Sequence, residues 1–288
     1  MGFFASVNGV VTPAAEATVS VLDNGFTFGD SVYETLRTYR GRPFHLERHL
    51  ARLRASASRL GFAIPDADDV FAQRLEELLT RAGNDESYVR IIVSRGEGEV
   101  SYRFDRVKGP TVVLLAKPYQ PFPASYYTEG VPVIISSVRR NHPSALDPAI
   151  KCCNLLNNIL AVQEAQAQGA MEPLLLNAAG ELAEGAGSNL FIVQGGEAVT
   201  PPLAAGILAG VTRAVVLEIG PSIGLPARQQ PLVPGDLFAA EEAFITSTLK
   251  ELIPISTVDG RNIGSGKPGP VTRRLLEAFR EYAPNHCA

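Results

Sequence analysis

Tryptophan is absent from the 288 residues, methionine occurs twice and cysteine three times. The cysteines are Cys152, Cys153 and Cys287. An odd number with two adjacent makes no disulfide framework and offers no metal-ligand spacing. A reducing cytoplasm and no metal are therefore expected. The four histidines lie apart; His45 and His49 could share a helix face, but no HExxH pattern accompanies them. No window approaches the ~18 consecutive apolar residues of a membrane span. The start MGFFASVNGV lacks a basic region before a long apolar stretch, so no signal peptide is expected. The net charge is -4, with no basic stripe, which argues against a nucleic-acid partner. Lysine is scarce, at positions 108, 117, 151, 250 and 267 only.

What is present is ordinary for a globular chain: 45% hydrophobic and 19% charged residues, enough for two modest domains. β-formers cluster at 3–7 and 18–22, and Asn-Gly pairs at 8–9 and 24–25 read as turns. An alternating strand over 32–39 is followed by helical patterns over 45–60 and 67–82, then apolar strands at 88–93 and 111–116. The segment 119–130 holds two prolines and no period, and reads as a linker between an N-terminal domain (1–118) and a C-terminal domain (131–288). The second domain is expected to hold strands at 131–138, 173–176, 189–193, 227–232, 243–247 and 253–258. Its helices are expected at 153–168, 212–219 and 270–282. Strands and helices mix without strict alternation, which favours an α+β fold over a doubly wound sheet.

Several chemistries drop out. The stretch GRNIGSGKPG is one residue too long between glycines for a phosphate loop, and Pro268 stands where Ser or Thr would hold magnesium. Ser247 to Lys250 matches SxxK without its companion elements. Lys151 sits in DPAIKCCNLLNNILAV, apolar on both sides and at the start of a helical pattern. Desolvation lowers a lysine's pKa, which suits an amine that attacks an aldehyde. By residue type alone, a lysine reaching solvent from a helix end is the commoner reading.

Five blocks occur in order: NGFTFGDSVYETLRTYRGRPFHLERHLARL, IKCCNLLNNILAVQEA, ELAEGAGSNLFIV, GILAGVTRAVV and FITSTLKELIPI. Together they resemble the class IV (fold-type IV) aminotransferase family of pyridoxal-phosphate (PLP) enzymes, which includes branched-chain and D-amino-acid aminotransferases and aminodeoxychorismate lyases. The resemblance implies a two-domain α+β fold, PLP in the interdomain cleft and a homodimer. It makes Lys151 the Schiff-base lysine and proton shuttle, and Glu184 the partner of the pyridine nitrogen, which strengthens the ring as an electron sink. Arg52 would grip the phosphate with its planar fork. Val211 and Thr212 would offer a helix N-terminus to the same anion. Thr248 and Leu249 would add a hydroxyl and a backbone contact, and Leu208 would pack on the ring. Tyr33, Arg37, Tyr88 and Arg90 would line the substrate pocket; residues two apart on a strand share a face.

The implied reaction moves an amino group from an amino acid to a 2-oxo acid, with branched-chain L-amino acids and 2-oxoglutarate as the leading pair. D-amino acids, (R)-amines or a lyase reaction on aminodeoxychorismate are the alternatives. The Tyr88-x-Arg90 pattern is like that of branched-chain enzymes. The run Cys152-Cys153-Asn154-Leu155-Leu156 departs from them toward the D-specific ones, whose Arg-x-His carboxylate trap is not evident in RGEGEVSYRFD.

Overall fold

The computed structural model describes residues 1–288. β1 (Phe4–Val7) and β2 (Val10–Pro13) are joined by Asn8 and Gly9, at φ 50° and 90°. A two-residue hairpin that follows the twist of its strands needs positive φ at both positions. α1 (Asn24–Phe28), β3 (Ser31–Tyr39), β4 (Arg42–Pro43), α2 (Leu46–Arg59), α3 (Asp68–Ala82), β5 (Ser87–Ser94) and β6 (Thr111–Pro118) follow. The six strands form an antiparallel sheet in the order β2-β1-β6-β5-β3-β4. Val32, Leu36, Val89, Ile91 and Val93 bury one face against Leu50, Leu53, Phe71, Leu75 and Leu78 of α2 and α3. The other face carries Tyr33, Thr35 and Arg37 on β3, registered against Ile92, Arg90 and Tyr88 on β5.

The second sheet is built from β7 (Val131–Ile135), β8 (Glu172–Leu176), β9 (Leu182–Gly185), β10 (Asn189–Gln194), β11 (Glu197–Thr200), β12 (Ala227–Gln229), β13 (Glu242–Ser247), β14 (Glu251–Val258) and β15 (Arg261–Asn262). Its order is β12-β11-β10-β13-β14-β7-β8-β9, with β15 on β14 and an extra pairing of β9 with β10. Six strands thus close into a ring, sealed where Glu184 pairs with Asn189. β10 and β13 are buried on both faces and read as near-continuous apolar runs. Leu190, Ile192 and Ile245 share one core, while Phe191 and Phe244 on the alternate face stack at 5.0 Å. The helices are α4 (Ala124–Thr128), α5 (Leu156–Ala167), α6 (Val211–Ser222), α7 (Pro234–Phe238) and α8 (Pro270–Tyr282). Of these, α6 and α8 pack on β13, α8 also on β14, and α5 on β8.

One compact unit holds Met1–Gln120, Ile150–Asn154 and Ala283–Ala288; the other holds Pro121–Ala149 and Leu155–Tyr282. This differs from a single break at 119–130. The segment 150–154 adds to the free edge of β3, where Tyr33 N–H donates to Lys151 O and Cys153 N–H to Ser31 O, both at 2.9 Å. The last residues lie along Phe44 and His45: His45 N–H donates to His286 O at 3.0 Å. Within the expected linker, α4 packs on β14, and Phe122, Tyr126 and Tyr127 reach the second core.

Three other expectations change. Residues 18–22 form no strand: Val19, Val21 and Leu22 are exposed, and β-formers become a strand only where an edge accepts them. Asn24-Gly25 opens α1 instead of a turn, because the Asp23 carboxylate caps it by accepting from Gly25 N–H at 2.7 Å. The helix expected from 153 starts at Leu156, since the preceding backbone is committed to β3. Lys151 therefore stands on an extended segment, ahead of the helix rather than on it.

Candidate active site

The expected site residues fall into two sets, one in each unit. In the first unit, the added edge segment fixes Lys151 on both sides. Its carbonyl accepts from Tyr33 N–H, and its own N–H donates to Ser56 Oγ on α2 at 3.1 Å. The Lys151 ammonium lies 4.5 Å from the centre of the Tyr33 ring, and the Arg90 guanidinium 4.1 Å from the same centre. Burial pushes the Tyr33 phenol up to about 12, against the pull of Arg90. Tyr33 is thus neutral and protonated through the ordinary pH range. Arg90 hydrogen-bonds the Tyr88 side chain, which helps hold its pKa above the usual value despite burial. Arg37 lies between two rings, 4.2 Å from Tyr39 and 3.9 Å from Tyr119. The four residues named for the substrate side therefore share one sheet face, with Ile92 beside them.

Arg52 pairs with Glu34, whose side chain alternates with that of Tyr33 along β3. Arg52 Nε and Nη2 each donate at 2.7 Å to the Glu34 carboxylate, and His49 Nδ1 makes a third bond, also 2.7 Å, to Glu34 Oε2. Glu34 is fully buried. Burial pushes its carboxyl up, but Arg52 and His49 outweigh that and bring it down to about 2. Burial also lowers His49, against the pull of Glu34. An ionised Glu34 with a neutral His49 donating from Nδ1 satisfies both. Sequence reasoning missed Glu34. Its signal is a carboxylate on the Val32–Leu36 face of β3, where its strand neighbours are apolar.

In the second unit, Glu184 stands at the seam of the strand ring. Oε1 accepts from Arg140 Nε at 2.9 Å, and Oε2 from Asn189 Nδ2 and Leu208 N–H, both at 3.1 Å. Asn189 Nδ2 also donates to Leu208 O at 3.0 Å. Asn189 thereby ties the carboxylate to the loop that leads into α6. Gly210 closes that loop: a Cβ there would come within 1.9 Å of Asn189 Oδ1. Val211 and Thr212 open α6, where the first backbone N–H groups have no acceptor within the helix. Thr212 Oγ1 and Thr246 Oγ1 are buried without a hydrogen-bond partner in the protein. Arg213, in the same motif, is spent on structure: it donates to Thr200 Oγ1, Pro201 O and Gln229 Oε1. Thr248 and Leu249 form the half-buried tip of the β13–β14 hairpin, just beyond Thr246. Nothing in the sequence pointed to Arg140 or Thr246.

Residues 31–258 match the sequence profile of the family described as amino-transferase class IV. The chain belongs to that family. It is a PLP-dependent aminotransferase with the family's α+β fold. Among its relatives is the D-alanine aminotransferase of Bacillus licheniformis, 33% identical over 95% of this chain and 94% of the relative. The branched-chain-amino-acid aminotransferase of Salmonella typhimurium strain LT2 is 31% identical, covering 94% and 90%. Among solved structures, the branched-chain aminotransferase of the thermophilic archaeon Thermoproteus uzoniensis with norvaline aligns over 98% of this chain and 95% of its own, with a TM-score of 0.90 and 32% identity.

Proposed function

We propose that this aminotransferase acts on branched-chain L-amino acids, with 2-oxoglutarate as amino acceptor, and that the residues above divide its work as follows. The observation that carries this reading is the shared face of Tyr33, Arg37, Tyr88 and Arg90. Two guanidinium groups suit carboxylates, while the rings and Ile92 suit an apolar side chain. The branched-chain relatives support it. A second reading, D-amino acids, is favoured by the D-alanine aminotransferase relative and by the Cys152-Cys153-Asn154-Leu155-Leu156 run.

The residues fit PLP. Buried hydroxyls at Thr212 and Thr246 lack partners, the start of α6 offers N–H groups, and Gly210 leaves no room for a side chain. These features suit a phosphate. Thr248 and Leu249 would add a hydroxyl and a backbone contact to the phosphate, and Arg52, oriented by Glu34, would supply positive charge. When bound, PLP supplies the electron sink that lets the Cα–H bond of an amino acid break. Lys151 Nζ holds the cofactor and moves the proton at Cα. Its backbone anchors at Tyr33 and Ser56 limit where that nitrogen can reach. The centre of the Tyr33 ring lies 4.5 Å from that nitrogen, with its phenol protonated. Glu184, oriented by three donors, would hold the pyridine nitrogen, and Leu208 would pack on the ring.

The purified protein with PLP should show a visible absorption band that Lys151→Ala abolishes, together with all turnover. L-leucine should discharge the band of the wild type. Discharge by D-alanine alone would move the protein to the D-specific reading. We further propose a homodimer in the cytoplasm. Exposed Leu156, Ile159 and Leu160 at helical spacing on α5 support a second copy, and three cysteines that form no disulfide support a reducing compartment. Light scattering in solution tests the dimer.

A further inference from the structure

Asn189 pairs with Thr246 on the neighbouring strands β10 and β13. The loop 185–188 before Asn189 and the hairpin tip after Thr246 therefore stand at the same end of the sheet. Between them lies a charge pair that amino transfer leaves unused. Lys250 Nζ donates to Glu172 Oε2 at 2.6 Å, with side chains 12% and 6% exposed. The other oxygen, Glu172 Oε1, accepts from Gly187 N–H and from Ser188 Oγ–H, each at 2.8 Å. The loop is shaped around this carboxylate: a Cβ at Gly185 would come within 2.7 Å of Oε1.

The hairpin is held as firmly at its other side. Tyr127 Oη donates to Lys250 O at 3.1 Å. Glu251, at φ 56°, adopts a backbone that non-glycine residues rarely take, and Arg280 Nε donates to its Oε2 at 2.7 Å. Such a conformation persists only where its surroundings over-determine it. A buried ion pair is a poor device for stability alone, because apolar replacements often serve as well. What it adds is direction. One carboxylate here fixes an ammonium, a backbone N–H and a hydroxyl at once.

We propose that Glu172 and Lys250 are positioning residues for the cofactor. They lock the loop 185–188 to the hairpin tip, so that Glu184 and Thr248, at the ends of these two turns, keep a constant separation. The proposal rests on the PLP reading above. Neither residue touches the reacting atoms; both act through the turns they join.

The test follows loss of the visible band when the holoenzyme is diluted into buffer without PLP. Lys250→Met and Glu172→Gln should each release PLP about tenfold faster, the effect of losing one hydrogen bond to a charged group. At saturating PLP their kcat should stay within about twofold of wild type. Exchange of the Gly187 amide should quicken in the same variants. Lys250→Arg, whose guanidinium can reach the same carboxylate, should restore slow release, and the double variant should be no worse than either single one. A folded Lys250→Met holoenzyme that releases PLP at the wild-type rate overturns the proposal, as does a fall in kcat with release unchanged. If Lys250→Met fails to fold, Lys250→Gln and Lys250→Arg carry the same comparison. A wild type without any Lys151-dependent band would overturn the PLP reading itself, which a null result in the variants would not.

Discussion

At the scale of single residues, the buried carboxylate Glu34 has the clearest pH signature. Its folded-state pKa of about 2 lies below the ordinary 4.5. A depressed carboxylate contributes stability that is complete above pH 4.5 and fades as the pH falls toward 2. The difference corresponds to about 3 kcal/mol at neutral pH. Neutral His49, lowered by burial, adds an earlier decline below its ordinary 6.5. Glu34→Gln should therefore be less stable at pH 7 by about this amount and should lack the acid limb between pH 4.5 and 2. Urea midpoints across pH 2–7 measure both effects. At this scale the sequence is legible through resemblance more than through physics. Lys151, Glu184 and Arg52 stand out only within their blocks, because a lysine among apolar neighbours has a blander reading. Glu34 could have been found from strand alternation alone. Arg140 could not, since its partner Glu184 is 44 positions away.

At the scale of elements, periodicity works wherever one face is buried. The helix α8 begins and ends as read, and the alternation of β3 and β5 accounts for their shared face. It fails where tertiary partners decide. Residues 18–22 have the composition of a strand and no edge to join, and the start of α5 is set by hydrogen bonds to β3. The short strands β2, β9 and β11 carry too few residues to show a period. The entry to α6 can be tested directly. Gly210→Ala would drive a methyl into Asn189 Oδ1, turning the amide that bonds Glu184 and Leu208. The variant should lose about 1–3 kcal/mol of stability, as overpacking commonly does, and should bind PLP more weakly. Thermal unfolding with and without PLP separates the two losses: the shift produced by PLP should shrink in the variant.

At the scale of the molecule, composition and length point to the right class and size, yet the division of the chain is less simple than its linear reading. Two short returns, 150–154 and 283–288, belong to the first unit. Local composition cannot reveal them, because each is too short to have a core of its own. Deleting Ala283–Ala288 would remove a fully buried alanine and the acceptor for His45 N–H, and would leave Pro43 O without Ala288 N–H. A loss of about 1–3 kcal/mol should follow, confined to the first unit, with α6 and the second sheet unaffected. Hydrogen exchange resolved by segment would show whether the loss is so confined.

The ring of six strands in the second unit is sealed by a single rung, Glu184 opposite Asn189. A chain link is weakest at its clasp, and this clasp is a backbone pairing whose residues are also joined through their side chains, Asn189 Nδ2 donating to Glu184 Oε2. A cofactor held by Glu184, as proposed above, would therefore also help to fasten the ring. A ligand that binds the closed ring better than the open one stabilises it by mass action, so opening of the rung should become rarer as the cofactor concentration rises. Without the cofactor the ring would open at this rung more readily.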